Sequence, residues 1–179
     1  MKPAIFLDRD GVIVENIDNN YVNAITDVSF IPGALEALRC LAQSEFAVIL
    51  VTNQAGVAKG YLSLETAHEI NDYILQAIQH AGGRVDQAYM CHHAPEANCI
   101  CRKPKPGMLL QAARELDLDL SQSWMIGDAL TDLQAGQAAG VKETVLVLTG
   151  RGQKQAAQHQ LVGVADLTTA LKKILGAST

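Results

Sequence analysis

The chain has 179 residues, enough for one domain with its own buried core. Hydrophobic residues make up 49% and charged residues 18%, with 14 Gly and 5 Pro, a balance that excludes a disordered or collagen-like chain. The formal net charge of −5 argues against a protein that binds by neutralising many nucleic-acid phosphates, so no nucleic-acid partner is expected.

The first predicted element is a buried strand, Ala4 to Leu7, which stops at the charged loop Asp8-Arg9-Asp10-Gly11. Its apolar stretch is too short for a signal-peptide core, and no run in the chain approaches the roughly 20 residues of a bilayer span, so a cytoplasmic location and no membrane partner are expected. After Pro32-Gly33, Ala34, Leu35, Leu38, Leu41 and Ala42 recur at helical spacing, and Ala47 to Val51 reads as a second strand. Ser63 is the expected N-cap of a helix reaching about His80, with Leu64, Ala67, Ile70, Ile74, Ala77 and Ile78 on one stripe and Gly82-Gly83 as the stop.

Val85 to Met90 reads as a third strand, followed by a loop rich in Cys, His and Pro that runs to Pro106. A helix over about Met108 to Leu116, a strand at Trp124 to Ile126, a helix from about Leu130 to Ala139 ended by Gly140, and a strand at Thr144 to Leu148 complete the alternation. Gly150-Arg151-Gly152 is expected to be a turn, and a last helix covers roughly Leu167 to Leu175. Cys40 is expected to be a buried apolar residue, and His68, His80 and His159 to lie on helix surfaces. Strands alternating with helices imply an α/β fold, a Rossmann-like, mostly parallel sheet of five strands with helices on both faces. No internal repeat, low-complexity segment or linker interrupts residues 1–179, so a single domain is expected, working as a monomer.

In such sheets ligands sit beyond the carboxyl ends of the strands. There the sequence places Asp8-Arg9-Asp10-Gly11, Thr52-Asn53-Gln54, Arg102-Lys103-Pro104 and Gly127-Asp128 with Asp132 behind it. An Asp after a strand is often only a turn or cap residue, but several carboxylates, a hydroxyl and two cations at one edge exceed what structure alone requires. Crowded carboxylates repel one another unless a cation neutralises them, and with oxygen ligands the natural ion is Mg²⁺.

The ordered set DxD, Thr, Lys and GDxxxD resembles the haloacid dehalogenase-like (HAD-like) phosphohydrolases over essentially the whole chain. The resemblance implies that Asp8 attacks phosphorus and forms an aspartyl-phosphate, while Asp10 protonates the leaving alkoxide and then deprotonates the hydrolytic water. It further implies that Thr52 hydrogen-bonds the phosphoryl oxygens, that Lys103 stabilises their charge, and that Asp8, Asp128 and the Asp10 carbonyl hold Mg²⁺. Asn53, Gln54 and Ala55, directly after Thr52, are expected to contact substrate.

Cys91-His92-His93 and Cys99-Ile100-Cys101 offer three sulfurs and an imidazole, a set suited to a tetrahedral structural Zn²⁺. Chemistry alone leaves open which histidine binds. The run C-x-H…C-x-C-R-K-P is similar to the zinc-loop branch of the family that holds the D-glycero-D-manno-heptose 1,7-bisphosphate 7-phosphatases and the histidinol-phosphate phosphatases. On that pattern Cys91, His93, Cys99 and Cys101 are the ligands. The stretches Ile5 to Gly11, Thr52 to Gly60 and Cys101 to Leu109 look most like the heptose enzymes, which implies a small phosphorylated sugar as substrate.

Arg102 adjoins Lys103 and suits a second anion or a diol, so it is expected near the sugar or its second phosphate. Of the segment Val14 to Tyr21, where this branch places substrate-binding residues, Tyr21 is the one expected to serve. Ala129 departs from the charged residue that many heptose enzymes carry after the acidic motif. No cap domain fits between Asp10 and Thr52, so an open site is expected. Two alternatives stand beside the heptose reading: a histidinol-phosphate phosphatase, with Glu96 receiving the substrate ammonium, and a non-catalytic zinc-loop binding module.

Overall fold

The apolar run Ala4–Leu7 (β1) is fully buried and pairs in parallel on both flanks, Leu7 lying opposite Leu50 of β2 (Ala47–Asn53) and Ile126 of β4 (Trp124–Gly127). The computed structural model describes residues 1–16 and 22–176, and Tyr21 lies outside them. With β3 (Gln87–Cys91), β5 (Glu143–Val147) and β6 (Gly163–Val164), the strands form one parallel sheet in the order β3-β2-β1-β4-β5-β6. The chain runs outward from β1 to β3 and then returns to β1's other side at β4. The topological switch point, where parallel sheets open a crevice, therefore lies between the ends of β1 and β4.

Alternation along β1 and β2 feeds two cores. Ile5, Leu7, Val48 and Leu50 pack with Leu38 and Leu41 of α1 (Ala34–Leu41), Ile70, Ile74 and Ile78 of α3 (Leu64–His80), and Leu167 and Leu171 of α7 (Leu167–Leu175). Phe6, Ile49 and Val51 face the other way, onto Met108, Leu109 and Ala112 of α4 (Gly107–Glu115) and Ala135 and Ala139 of α5 (Leu130–Ala139). Each large aliphatic side chain so buried contributes about 1.5–3 kcal/mol of transfer free energy. Local signals agree with these bounds: Ser63 Oγ accepts from Thr66 N at 3.0 Å at the start of α3, and Gly140 ends α5 in the left-handed region at φ 81°.

Three sequence expectations change. The sheet has six strands, not five, because β6 is only two residues long, too short for any alternation to show. The segment after Gly150 continues from its turn into a helix, α6 (Gly152–His159), whose only fully buried residue is its first glycine, so no apolar stripe announces it. Cys40 is exposed: α1 buries Ala34, Ala37, Leu38 and Leu41, and Cys40 falls off that stripe. His68, His80 and His159 are exposed on helices as expected. Among the described residues, the interval between Asp10 and Thr52 holds an isolated antiparallel bridge between Val14 and Phe30, a 3-10 turn, α1 and most of β2, with no element of cap-domain size. No described helix is long and apolar enough to cross a membrane.

Candidate active site

Each strand end delivers one part of the site. Asp8 follows β1 directly and is 5% exposed, anchored by its own N–H donating to Ile126 O at 3.0 Å. Thr52 and Asn53 close β2, and the short helix α2 (Ala55–Ala58) starts at Ala55, which is buried. Asp128 follows β4 and is fully buried. The carboxylate oxygens of Asp8, Asp128 and Asp132 lie within 4.8 Å of one another.

One buried ammonium organises this cluster. Lys103 Nζ donates to Asp8 Oδ1 at 2.7 Å and to Val51 O at 2.8 Å, and it pairs with Asp132 Oδ1 at 2.7 Å. Its three protons are thereby fully used. Burial alone would lower the Lys103 pKa, but the Asp132 and Asp8 carboxylates outweigh it and push the value up. Asn53 fixes the backbone that carries this lysine: its Nδ2 donates to Lys103 O at 3.0 Å, and its Oδ1 accepts from Lys103 N at 3.1 Å. Asp132 also accepts from Ala129 N at 3.1 Å, so it caps α5 as it pairs with Lys103.

Asp8 and Asp128 remain undercompensated. Burial raises the Asp8 pKa to about 6, Lys103 pulling it down and Asp132 and Asp10 pushing it up. Burial and then Asp8 push Asp128 upward against the pull of Arg151. Two buried carboxylates that resist ionisation side by side form an all-oxygen donor set short of positive charge, which fits a hard divalent cation such as Mg²⁺. The backbone presses close here. Gly11, at φ 91°, would place a Cβ 2.1 Å from Asp128 Oδ2, and Gly150, at φ 55°, would place one 2.4 Å from the Gly11 Cα.

Asp10 stands apart from the three clustered carboxylates. Arg9 Nε donates to its Oδ1 at 3.0 Å, Arg9 Nη2 to its Oδ2 at 3.1 Å, and Gln54 Nε2 to the same Oδ2 at 2.6 Å. Gln54 Nε2 also donates to Thr52 Oγ1 at 2.9 Å, so the Thr52 hydroxyl keeps its own proton for another acceptor.

The sulfur cluster closes as expected. Cys91 Sγ lies 3.6 Å from Cys99 Sγ and 3.1 Å from Cys101 Sγ, Cys101 is 3.4 Å from Cys99, and His93 Nδ1 is 3.6 Å from Cys91 and 3.3 Å from Cys101. These separations are far beyond a disulfide bond and suit a tetrahedral ion, which with Zn–S near 2.3 Å sets sulfurs about 3.7 Å apart. It is His93, not His92, that joins the cluster; the His92 ring sits against the His93 ring, centroids 4.4 Å apart. Burial and the neighbouring thiols push the Cys91 thiol up to about 12. Arg102 Nη1 reaches His93 O at 3.4 Å, tying the arginine beside Lys103 to the same loop. Glu96 lies in the exposed 3-10 turn Pro95–Ala97.

Two residues of this locus were not identified from sequence. Arg151 donates its backbone N–H to Asp128 Oδ2 at 2.8 Å, and its guanidinium lies 3.4 Å from Asp128 Oδ1. Its one signal was position, just beyond the carboxyl end of the fifth strand. Arg9, the middle residue of DxD, is 1% exposed, and the sequence carried no signal of its burial.

The HAD-hydrolase-like family profile matches residues 100–171. The D-glycero-beta-D-manno-heptose-1,7-bisphosphate 7-phosphatase of Pasteurella multocida is 43% identical over 183 residues, spanning 96% of this chain and 98% of its own length. The protein of the same name from Escherichia coli K12 is 40% identical, spanning 96% and 94%. Among solved structures, the D,D-heptose 1,7-bisphosphate phosphatase of B. bronchiseptica, complexed with magnesium and phosphate, superposes with a TM-score of 0.90 at 40% identity, covering 99% of this chain and 100% of its own.

Proposed function

The chain belongs to the HAD-like hydrolase family of the heptose-1,7-bisphosphate 7-phosphatases, and from that premise we propose that it removes the 7-phosphate of D-glycero-D-manno-heptose 1,7-bisphosphate through an aspartyl-phosphate on Asp8. The observation that carries this reading is the Lys103 ammonium held between Asp8 and Asp132, beside buried Asp128. Phosphoryl transfer needs in-line positioning and neutralisation of the equatorial oxygens. Asp8 and Asp128, with the Asp10 carbonyl, would hold Mg²⁺, which when bound supplies charge neutralisation at the transferring phosphoryl group.

In the first half-reaction Asp8 forms a bond to phosphorus as the bond to the C7 oxygen breaks, and Asp10 gives its proton to that oxygen. In the second, water attacks phosphorus, the Asp8–phosphorus bond breaks, and Asp10 takes the water proton. Thr52 donates its hydroxyl proton to a phosphoryl oxygen, an orientation favoured by Gln54 occupying its lone pair. Lys103 stabilises the developing charge, and Asn53 holds it in place. Asn53, Gln54 and Ala55 line the substrate's approach after Thr52. Arg102 faces the sugar or its second phosphate, and Tyr21 is assigned to the substrate side.

Cys91, His93, Cys99 and Cys101 hold a Zn²⁺ that shapes the loop carrying Arg102 and Lys103. This reading takes residues 1–179 as one domain acting as a monomer on a small phosphorylated sugar, without a nucleic-acid partner. Unpaired thiols at the ion site suit a reducing compartment such as the cytoplasm. The test is kcat/KM for heptose 1,7-bisphosphate and histidinol phosphate measured side by side. A clear preference for the heptose is expected, with a loss confined to the bisphosphate in Arg102→Ala. An equal or higher value for histidinol phosphate overturns the assignment.

A further inference from the structure

We infer that Arg9 is the positioning residue of the proton-transfer step: together with Gln54 it clamps the Asp10 carboxylate so that one lone pair, on Oδ1, is left to carry the proton. The inference rests on the reading of Asp10 as the general acid and base.

A guanidinium exposed to only 1% is costly to bury unless it is paired and hydrogen-bonded. Asp10 is its ion-pair partner, met by two parallel bonds of 3.0 and 3.1 Å. This fork fits a carboxylate plane as an ammonium cannot. A carboxylate otherwise turns about a broad, roughly two-fold torsion, and the fork fixes that torsion.

A carboxylate offers about four lone-pair sites. Oδ2 accepts from both Arg9 Nη2 and Gln54 Nε2, whereas Oδ1 accepts from Arg9 Nε alone. The remaining site on Oδ1 is where a proton can reside, pass to the leaving oxygen, and be regained from water. Gln54 is itself fixed, its backbone N–H donating to Cys91 O at 2.7 Å and its side chain to Thr52 Oγ1.

The turn around this side chain has main-chain bonds of its own. Arg9 O already accepts from Ile13 N at 2.9 Å and Val14 N at 3.1 Å, which closes the turn through the main chain. The arginine also leaves Nη1 buried with no hydrogen-bond partner, a donor sacrificed while Nε and Nη2 stay on Asp10.

Leaving-group dependence separates positioning from structure. An alkyl phosphate needs its leaving oxygen protonated, and p-nitrophenyl phosphate hardly does. Arg9→Lys keeps the charge and loses the fork, and is expected to lower kcat/KM, which covers the steps up to departure of the leaving group and not the shared hydrolysis of the aspartyl-phosphate, about 30-fold on heptose bisphosphate and less than about threefold on p-nitrophenyl phosphate. Equal losses on the two substrates, or no loss on the alkyl ester, overturn the inference. Asp10→Asn is measured alongside: if it shows the split and Arg9→Lys does not, the role of Arg9 alone fails, and if it shows no split the acid–base reading beneath it fails first. Circular dichroism confirms folding, and Arg9→Gln, which retains one donor, carries the same comparison should the lysine variant not fold.

Discussion

The protein gathers ionic ligands at two places and supports them in opposite ways. The carboxylates of Asp8, Asp128 and Asp132 stand at the ends of buried central strands or on the first turn of α5, and two cations of the chain, Lys103 and Arg151, already pair with them. The thiols of Cys99 and Cys101 and the imidazole of His93 stand on a loop. Of that cluster only Cys91, at the end of β3, belongs to the sheet, and no ammonium or guanidinium pairs with it among the described residues. Under the proposed function the contrast means that a cation at the first place would serve chemistry, while a cation at the second would be part of the scaffold.

The sharpest way to break this contrast is Asp8→Asn. It keeps shape and removes the proposed nucleophile, so turnover is expected to fall at least about 10³-fold while the fold persists. Residual activity above about 1% would refute the nucleophile. The same variant tests the scaffold. Because the folded-state pKa of Asp8 is raised from 3.8 to about 6, its contribution to stability is fully present at low pH and is lost as pH rises through about 6. Metal-free Asp8→Asn is therefore expected to be more stable than the parent at neutral pH by about 1–3 kcal/mol, and to lose that advantage below about pH 4. Urea titrations at two pH values measure the difference.

The thiol cluster should behave in the opposite way. Cys99→Ser or Cys101→Ser is expected to lose zinc, to speed amide exchange through the loop up to Pro106, and to lower activity about 10–100-fold through displaced Arg102 and Lys103. Protein purified without chelator that contains no zinc by elemental analysis would remove this half of the contrast.

A smaller effect concerns competition between protons and metal. Mg²⁺ binds Asp8 only when the carboxyl is ionised, so calorimetry should show affinity steady above about pH 7 and falling up to about tenfold per pH unit below about 6. A flat profile would mean that Asp8 is not a ligand. The smallest expected effect is that of Arg151→Ala. Its half-exposed guanidinium compensates Asp128 in the metal-free protein, so removing it should tighten Mg²⁺ binding about threefold and slightly lower the metal-free melting temperature.

The parts legible in the sequence were those with a local signature. Asp8, Thr52 and Asp128 each follow an apolar run, so their common edge could be read from parallel strands alone, and Ser63, Gly140 and the stripe of α3 marked their helices. The cysteine spacing announced its own cluster. What stayed hidden depended on tertiary approach. The Arg151 backbone N–H meets Asp128 only because Gly11 and Gly150 let three loops touch, and Arg9 turns inward instead of to solvent. β6 was silent because two residues carry no period, and α6 because a polar helix carries no stripe.

The scatter of the site along the chain also constrains how the protein comes into being. Lys103 meets Asp8 across 95 residues, and Thr149 Oγ1 donates to Gly11 O across 138. Loop closures that long are among the slow events of folding, because their entropy is spent before any contact returns it. A chain emerging from the ribosome can build β1, β2 and their helices, yet it has no Asp128 to face Asp8 until β4 is made, and no Arg151 until β5 is in place. Hydrolytic competence therefore waits on β4, and the onset of turnover during refolding is a clock for the docking of β4 against β1.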